Sequence, residues 1–324
     1  MNRNLRYLGL SLAAGAAAAT AIGGLAGSRR PEDWPAAPGE FTEVHGEQIH
    51  HLVNRDGSGP TVVFESALSC PCTEWAWLLR ALETTAPCLA YDRPGNGWSS
   101  QHRPPATAAE LNDLTLSLLR KLDLPGPYVL VGHSVGGLLA RAFAGRHADE
   151  LAGVVLVDSS HPDQLDRSAL QREGMPLVKQ GISTMYWRTR LRLLGDDDGF
   201  GAISELPGEI VESSGRVMRR PEPWAAARRE FALWHTQWAT EAREATLAPT
   251  LPVGVVTAGQ QASMDLAHGR MQTELAGLTQ VGRHEVVRMA EHDSLVMREE
   301  LAGHVAEVVE WVLERHAESL RARR

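Results

Sequence analysis

Five runs of nearly unbroken apolar residues constrain this chain more than anything else in it. They are TVVFES from Thr61, CLAYD from Cys88, YVLVGH from Tyr128, GVVLVD from Gly153 and VGVVTAG from Val253. A strand with one wet face alternates polar and apolar residues. These runs do not alternate, so each must be covered on both faces, as in a parallel sheet. Between them lie segments of helical spacing; Leu111, Leu114, Leu118 and Leu122 share one face of such a segment. Strand–helix alternation of this kind predicts a parallel α/β sheet with right-handed crossovers and helices on both faces. Reactive groups in such sheets sit at the carboxyl ends of the strands.

Two departures from the rhythm set the domain plan. FTEVHGEQIHHLVNR, from Phe41, alternates around Gly46 and reads as an antiparallel hairpin ahead of the parallel strands. From His161 to Pro249 no buried strand is evident, and helical segments bearing Trp187, Trp224, Trp234 and Trp238 take over. The predicted plan is a core of residues 41–160 and 250–324, with a helical cap, 161–249, inserted after the sixth strand. A last strand, HEVVRM, and a last helix, Glu299 to Ala317, close the core.

The first 30 residues are read separately. Arg3 and Arg6 precede an uncharged stretch from Tyr7 to Gly27, with Ala19–Ala21 offering a small-residue cleavage site. That is the pattern of a signal peptide or membrane anchor. A Pro-rich linker, 31–40, follows. The expectation is an exported or membrane-anchored protein, its folded part outside the cytoplasm. A net charge of −8 argues against a nucleic-acid partner. Three cysteines, Cys70, Cys72 and Cys88, form neither a disulfide framework nor a zinc pattern. No metal or organic cofactor is expected, and the chain is read as a monomer or weak dimer.

The chemistry centres on Gly132-His133-Ser134-Val135-Gly136-Gly137, a G-x-S-x-G set between a strand and a helix. In that context the motif lifts a serine hydroxyl above the sheet on a bend too tight for side chains two residues to either side. The same bend aims the Val135 N–H and a helix N-terminus at the space beside Oγ. A serine needs a base to become nucleophilic. His292, in the loop between the last strand and the last helix, reaches the right end of the sheet. The base in turn needs an orienting carboxylate. Asp158 ends the strand after the one that carries Ser134; Asp265 lies in the loop after VGVVTAG. Asp158 is preferred because a strand end holds it more rigidly, with Asp265 as the alternative.

Taken together, "TVVFESALS…EWAWL", "CLAYDRPGNGWSS", "VLVGHSVGG", "VVLVDSSHPDQ" and "GRHEVVRMAEHDS" resemble the α/β-hydrolase superfamily. They are most similar to its cap-bearing bacterial serine hydrolases with a hydrophobic leader. The resemblance implies Ser134 as nucleophile, His292 as base, and the Leu68 and Val135 amides as the oxyanion hole. It leaves Asp158 against Asp265 open. Where such hydrolases have a glycine-rich oxyanion loop, this chain has Ser66-Ala67-Leu68-Ser69-Cys70, and Glu291 stands before the histidine. The expected activity is cleavage of carboxylic esters of small or medium apolar substrates through an acyl-enzyme. C–C, lactone, amide or thioester cleavage, a cofactor-free haloperoxidase and a non-turnover receptor are the alternatives. A serine nucleophile argues against dehalogenase or epoxide hydrolase chemistry, where a carboxylate forms the ester.

Overall fold

The apolar runs become the middle of one eight-stranded sheet. The computed structural model describes residues 35–103, 107–195 and 200–322. Its strands are β1 (Glu40–Val44), β2 (Glu47–Asn54), β3 (Thr61–Glu65), β4 (Cys88–Tyr91), β5 (Tyr128–His133), β6 (Leu151–Val157), β7 (Val253–Ala258) and β8 (Gly282–Val287). Their order is β1-β2-β4-β3-β5-β6-β7-β8. β2 runs antiparallel to β1 and β4, and every other pairing is parallel. The predicted hairpin is therefore β1–β2, and β3 to β7 are buried along their whole lengths.

The principal helices are α1 (Ala76–Ala81), α2 (Ala108–Lys121), α3 (Gly136–Arg146), α4 (Ala169–Arg190), α5 (Gly208–Met218), α6 (Pro221–Leu233), α7 (Leu266–Ala276) and α8 (Glu299–Ala322). Successive strand residues feed opposite layers, as period 2 requires. Val62, Phe64, Val129, Val131, Val155 and Val157 pack with Leu78 of α1 and Val305, Val308 and Val312 of α8. Val63, Leu130, Val154, Leu156 and Val255 pack with Leu114 and Leu118 of α2, Phe143 of α3 and Leu275 of α7. Helices thus cover both faces, which is why the strands carry no polar alternation.

The chain between β6 and β7 is helical, as expected, and joins the first of these layers through Val178, Ile182, Trp224 and Trp234. No helix among the described residues is long and apolar enough to cross a membrane. The leader expected at Tyr7–Gly27 lies outside the described residues.

Strand order places the site. β4 lies on one side of β3 and β5 on the other, so the connections reverse at β3. Loops leaving β3 and β5 diverge there and open a crevice at the carboxyl edge. The loop after β3 carries Leu68, and the bend after β5 carries Ser134.

Candidate active site

Ser134 occupies the bend between β5 and α3 with φ 56°, a left-handed conformation rarely adopted by serine. Its own N–H donates to Val157 O at 3.0 Å, and its carbonyl accepts from Ser160 N–H at 2.9 Å, so the bend is tied to the end of β6. A Cβ on Gly132 would meet the carbonyl oxygen of Gly136 at 2.5 Å, and one on Gly136 would collide with that of Glu65. Both glycines of the motif are thus required by backbone approach.

Opposite the bend, the loop after β3 is braced from two directions. The Ala67 N–H donates to Glu74 Oε1 at 2.8 Å. Arg93 Nη1 donates to Ser66 O at 2.6 Å, and Nη2 to Ala67 O at 3.2 Å. The left-handed residue of this loop is Ser69, with φ 62°, so Ala67 need not adopt a glycine conformation. Among the described residues neither the Leu68 nor the Val135 N–H donates within the protein. Both are buried.

His292 Nδ1–H donates to Asp158 Oδ2 at 2.6 Å, which in the neutral imidazole leaves Nε2 with its lone pair. Asp158 is fully buried, and its other oxygen accepts from the Ala258 N–H at 3.0 Å and from His268 Nε2 at 2.9 Å. Burial works against its charge, yet the imidazoles of His268 and His292 hold it well below the usual carboxylate range. For His292, burial opposes the cation. The hydrogen bond and charge of Asp158, with Asp293 and Glu74 behind, outweigh it and push the imidazole up to about 9. Ser134, Asp158 and His292 line one narrow cavity of about 70 Å³. A larger pocket of about 410 Å³, which shares His292 and Gln261 with it, is lined by Met185, Trp224 and Met297.

Asp265 does something else. It caps α7, accepting from the Ala267 N–H at 3.1 Å, and takes the Ser168 hydroxyl at 2.6 Å and Gln171 Nε2 at 3.1 Å. Of the two carboxylates considered from sequence, Asp158 is the one on the histidine.

A family model described as "alpha/beta hydrolase fold" matches residues 64–182. A thermophilic esterase from Thermogutta terrifontis superimposes with a TM-score of 0.60 at 22% identity, covering 85% of this chain and 97% of that one. The chain has the α/β-hydrolase fold. Among curated proteins, an uncharacterized protein of Schizosaccharomyces pombe is 30% identical over 206 residues, 63% of this chain and 37% of that protein. An esterase of Mycobacterium tuberculosis is 36% identical over 113 residues, 35% of this chain and 37% of that protein. This hydrolase-fold chain spans less than half the length of the curated relatives it matches.

The hydrolase core also holds residues that the sequence did not reveal. His268 is the second imidazole on Asp158. Gln171 Nε2 lies 3.3 Å from its Nδ1 and 3.1 Å from Asp265, so the amide donates to both and leaves His268 Nε2–H for Asp158. Its signal was its position in the first turn of the helix after β7. His133, the residue before Ser134, bonds Glu74 at 3.3 Å, and its ring centroid lies 4.7 Å from that of His292. Glu74 thereby joins the loop after β3 to the imidazole stack.

Two clusters each bring three possible metal ligands together: His50, Cys72 and Asp92, and His133, His292 and Asp293. In the first, Asp92 already accepts from His50, the Cys72 N–H and the Trp98 N–H. Burial also pushes the Cys72 thiol well above its ordinary range, disfavouring the thiolate a metal needs. That cluster pins the loop after β4. The second is the imidazole stack itself.

Proposed function

We propose that the protein is a serine hydrolase that cleaves carboxylic esters of small or medium apolar substrates through an acyl-enzyme. The observation that carries this reading is the 2.6 Å bond from His292 Nδ1–H to Asp158 beside a serine held left-handed on a strand-to-helix bend. In this mechanism Ser134 Oγ attacks the ester carbonyl carbon and passes its proton to His292 Nε2. The Leu68 and Val135 amides receive the oxyanion, each worth on the order of a hundredfold in rate. His292 then protonates the departing alkoxide, and the alcohol leaves. Water loses a proton to the same nitrogen as its oxygen attacks the acyl carbon. The acid departs as the proton returns to Oγ. Asp158 fixes the tautomer and stabilises the imidazolium throughout.

A fluorophosphonate probe together with p-nitrophenyl esters of rising acyl length tests the reading. Wild type is expected to label and turn over, and Ser134→Ala to lose both, with turnover down by roughly ten-thousandfold or more. An unlabelled wild type, under conditions where a known serine esterase labels, would favour the receptor alternative. We also propose that Tyr7–Gly27 directs export or anchoring. Fractionation of cells making the full chain or one starting at residue 31 would test this, with equal distribution of the two counting against it.

A further inference from the structure

The cavity at Ser134 is too small, at about 70 Å³, to hold an ester of any length, so the arms of a substrate must lie in the spaces that adjoin it. The 410 Å³ pocket adjoins it at His292 and is lined by three carboxylates, Glu205, Glu291 and Asp293, against Arg298 and the His292 imidazole. On the other side lies a groove of about 980 Å³ between α4 and α6, and Met175 lines both the groove and the cavity.

The groove has the opposite charge. Arg172, Lys179, Arg228 and Arg229 line it, and no described carboxylate does. Its floor is apolar, made by Ile182 and Phe231, both buried. The Arg228 guanidinium is stacked 4.8 Å above the Tyr186 ring. Arg229 is half-buried with its Nε enclosed and without a hydrogen-bond partner. The neighbouring carboxylate, Glu230, is taken up by Arg93 and Asn96. A half-desolvated cation whose neighbouring carboxylate, Glu230, is already engaged elsewhere, beside an apolar floor, suits a ligand that is apolar along its length and anionic at its end.

The wall between groove and cavity is built from two interrupted helices. Pro176 stands inside α4 directly after Met175, where it removes one backbone hydrogen bond. On the other side, α6 runs into a π-helical turn, Trp234–Trp238, whose first residue faces the cavity and whose second, His235, faces the groove. Met175 itself is an unbranched thioether with three rotatable bonds, the side chain best able to swing aside.

We propose that this groove receives one arm of the substrate: an apolar chain ending in a carboxylate or similar anion, threaded past Met175. The preferred substrate is then an ester with an anionic tail, its other arm in the 410 Å³ pocket. This rests on the ester-hydrolase reading for the word substrate, but not for the binding itself.

The test uses two readouts. Calorimetric titration of Ser134→Ala with octanoate, octyltrimethylammonium and 1-octanol reads the groove without turnover. Octanoate is expected to bind best, and the double substitution Arg228→Gln/Arg229→Gln to weaken it about tenfold, with Arg228→Lys/Arg229→Lys retaining most of the affinity. Kinetics then compare a p-nitrophenyl ester of an eight-carbon dicarboxylic acid with p-nitrophenyl octanoate. The ratio of kcat/KM, charged over neutral, is expected to fall about tenfold in the Gln variant. Met175→Trp is expected to cost the eight-carbon esters more than the acetate. Equal binding of octanoate and octyltrimethylammonium, no octanoate binding at millimolar concentration, or an affinity indifferent to the two arginines would overturn the proposal even in an active esterase. Arginine-dependent octanoate binding by a protein that cleaves no ester would leave the groove standing and sink the ester-hydrolase reading.

Discussion

At the scale of single residues, Asp158 carries two imidazoles and His292 carries the consequence. An imidazole pushed up to about 9 is mostly protonated at neutral pH, and in the proposed mechanism it must lose that proton to accept one from Ser134. Activity is therefore expected to rise with pH through neutrality and level off on the alkaline side, read as the acid limb of kcat/KM. Asp158→Asn should lower turnover on the order of ten-thousandfold. Asp265→Asn keeps a helix-capping side chain and should stay within about threefold of wild type. His268 acts as a positioning residue through Asp158. Its Nε2–H spreads the carboxylate charge, so His268→Leu leaves Asp158 a stronger partner for the imidazolium. That substitution should move the acid limb to higher pH and lower kcat/KM at neutral pH by about tenfold to a hundredfold. His268→Gln, which restores an N–H, should return both toward wild type. Glu74, His133 and Asp293 still face His292, and Asp265 still stands behind Gln171, so the shift reports the lost donor alone. A purely structural role would lower Tm and leave the limb in place.

At the scale of elements, the helical insert and the loop after β3 are held by the same guanidinium. Arg93, on the loop after β4, donates to the carbonyls of Ser66 and Ala67 and, through Nε and Nη2, to Glu230 of α6. Its side chain is 1% exposed and that of Glu230 9%. Removing one partner of such a pair strands a buried charge. Glu230→Ala is expected to cost about 3–5 kcal/mol in urea denaturation, and Arg93→Met/Glu230→Leu less than that single change. The loss in kcat should exceed the loss in substrate binding, because the loop that places the Leu68 N–H is released. None of this could be read from sequence. Arg93 stands in a turn motif, and Glu230 follows two arginines on a helix whose buried face is known only after docking.

At the scale of the whole molecule, the last helix closes one face of the sheet. Gly153 and Gly254 let it approach: a Cβ on either would run into Val312 or Val308 of α8. Gly254→Ala is expected to overpack that interface and cost about 1–3 kcal/mol, with kcat per folded molecule retained. The same geometry explains why β7 and α8 deliver their loops so reproducibly. The strand ends at Ala258, whose N–H bonds Asp158, and the loop ahead of α8 carries His292.

Local sequence was enough to determine the doubly covered sheet, the hairpin, the helical insert and the serine bend. Each is written in contiguous residues whose periodicity or backbone demands are independent of the rest of the chain. It was also enough to put His292 in a loop at the correct edge of the sheet. Which carboxylate meets His292, the second imidazole at His268, the Glu74 brace and the cationic groove were decided only by tertiary structure. Each depends on which side chains from strand ends and helices far apart in the chain arrive at one point. Hydrogen bonds and charge pairs between distant residues leave no period in the sequence that would announce them.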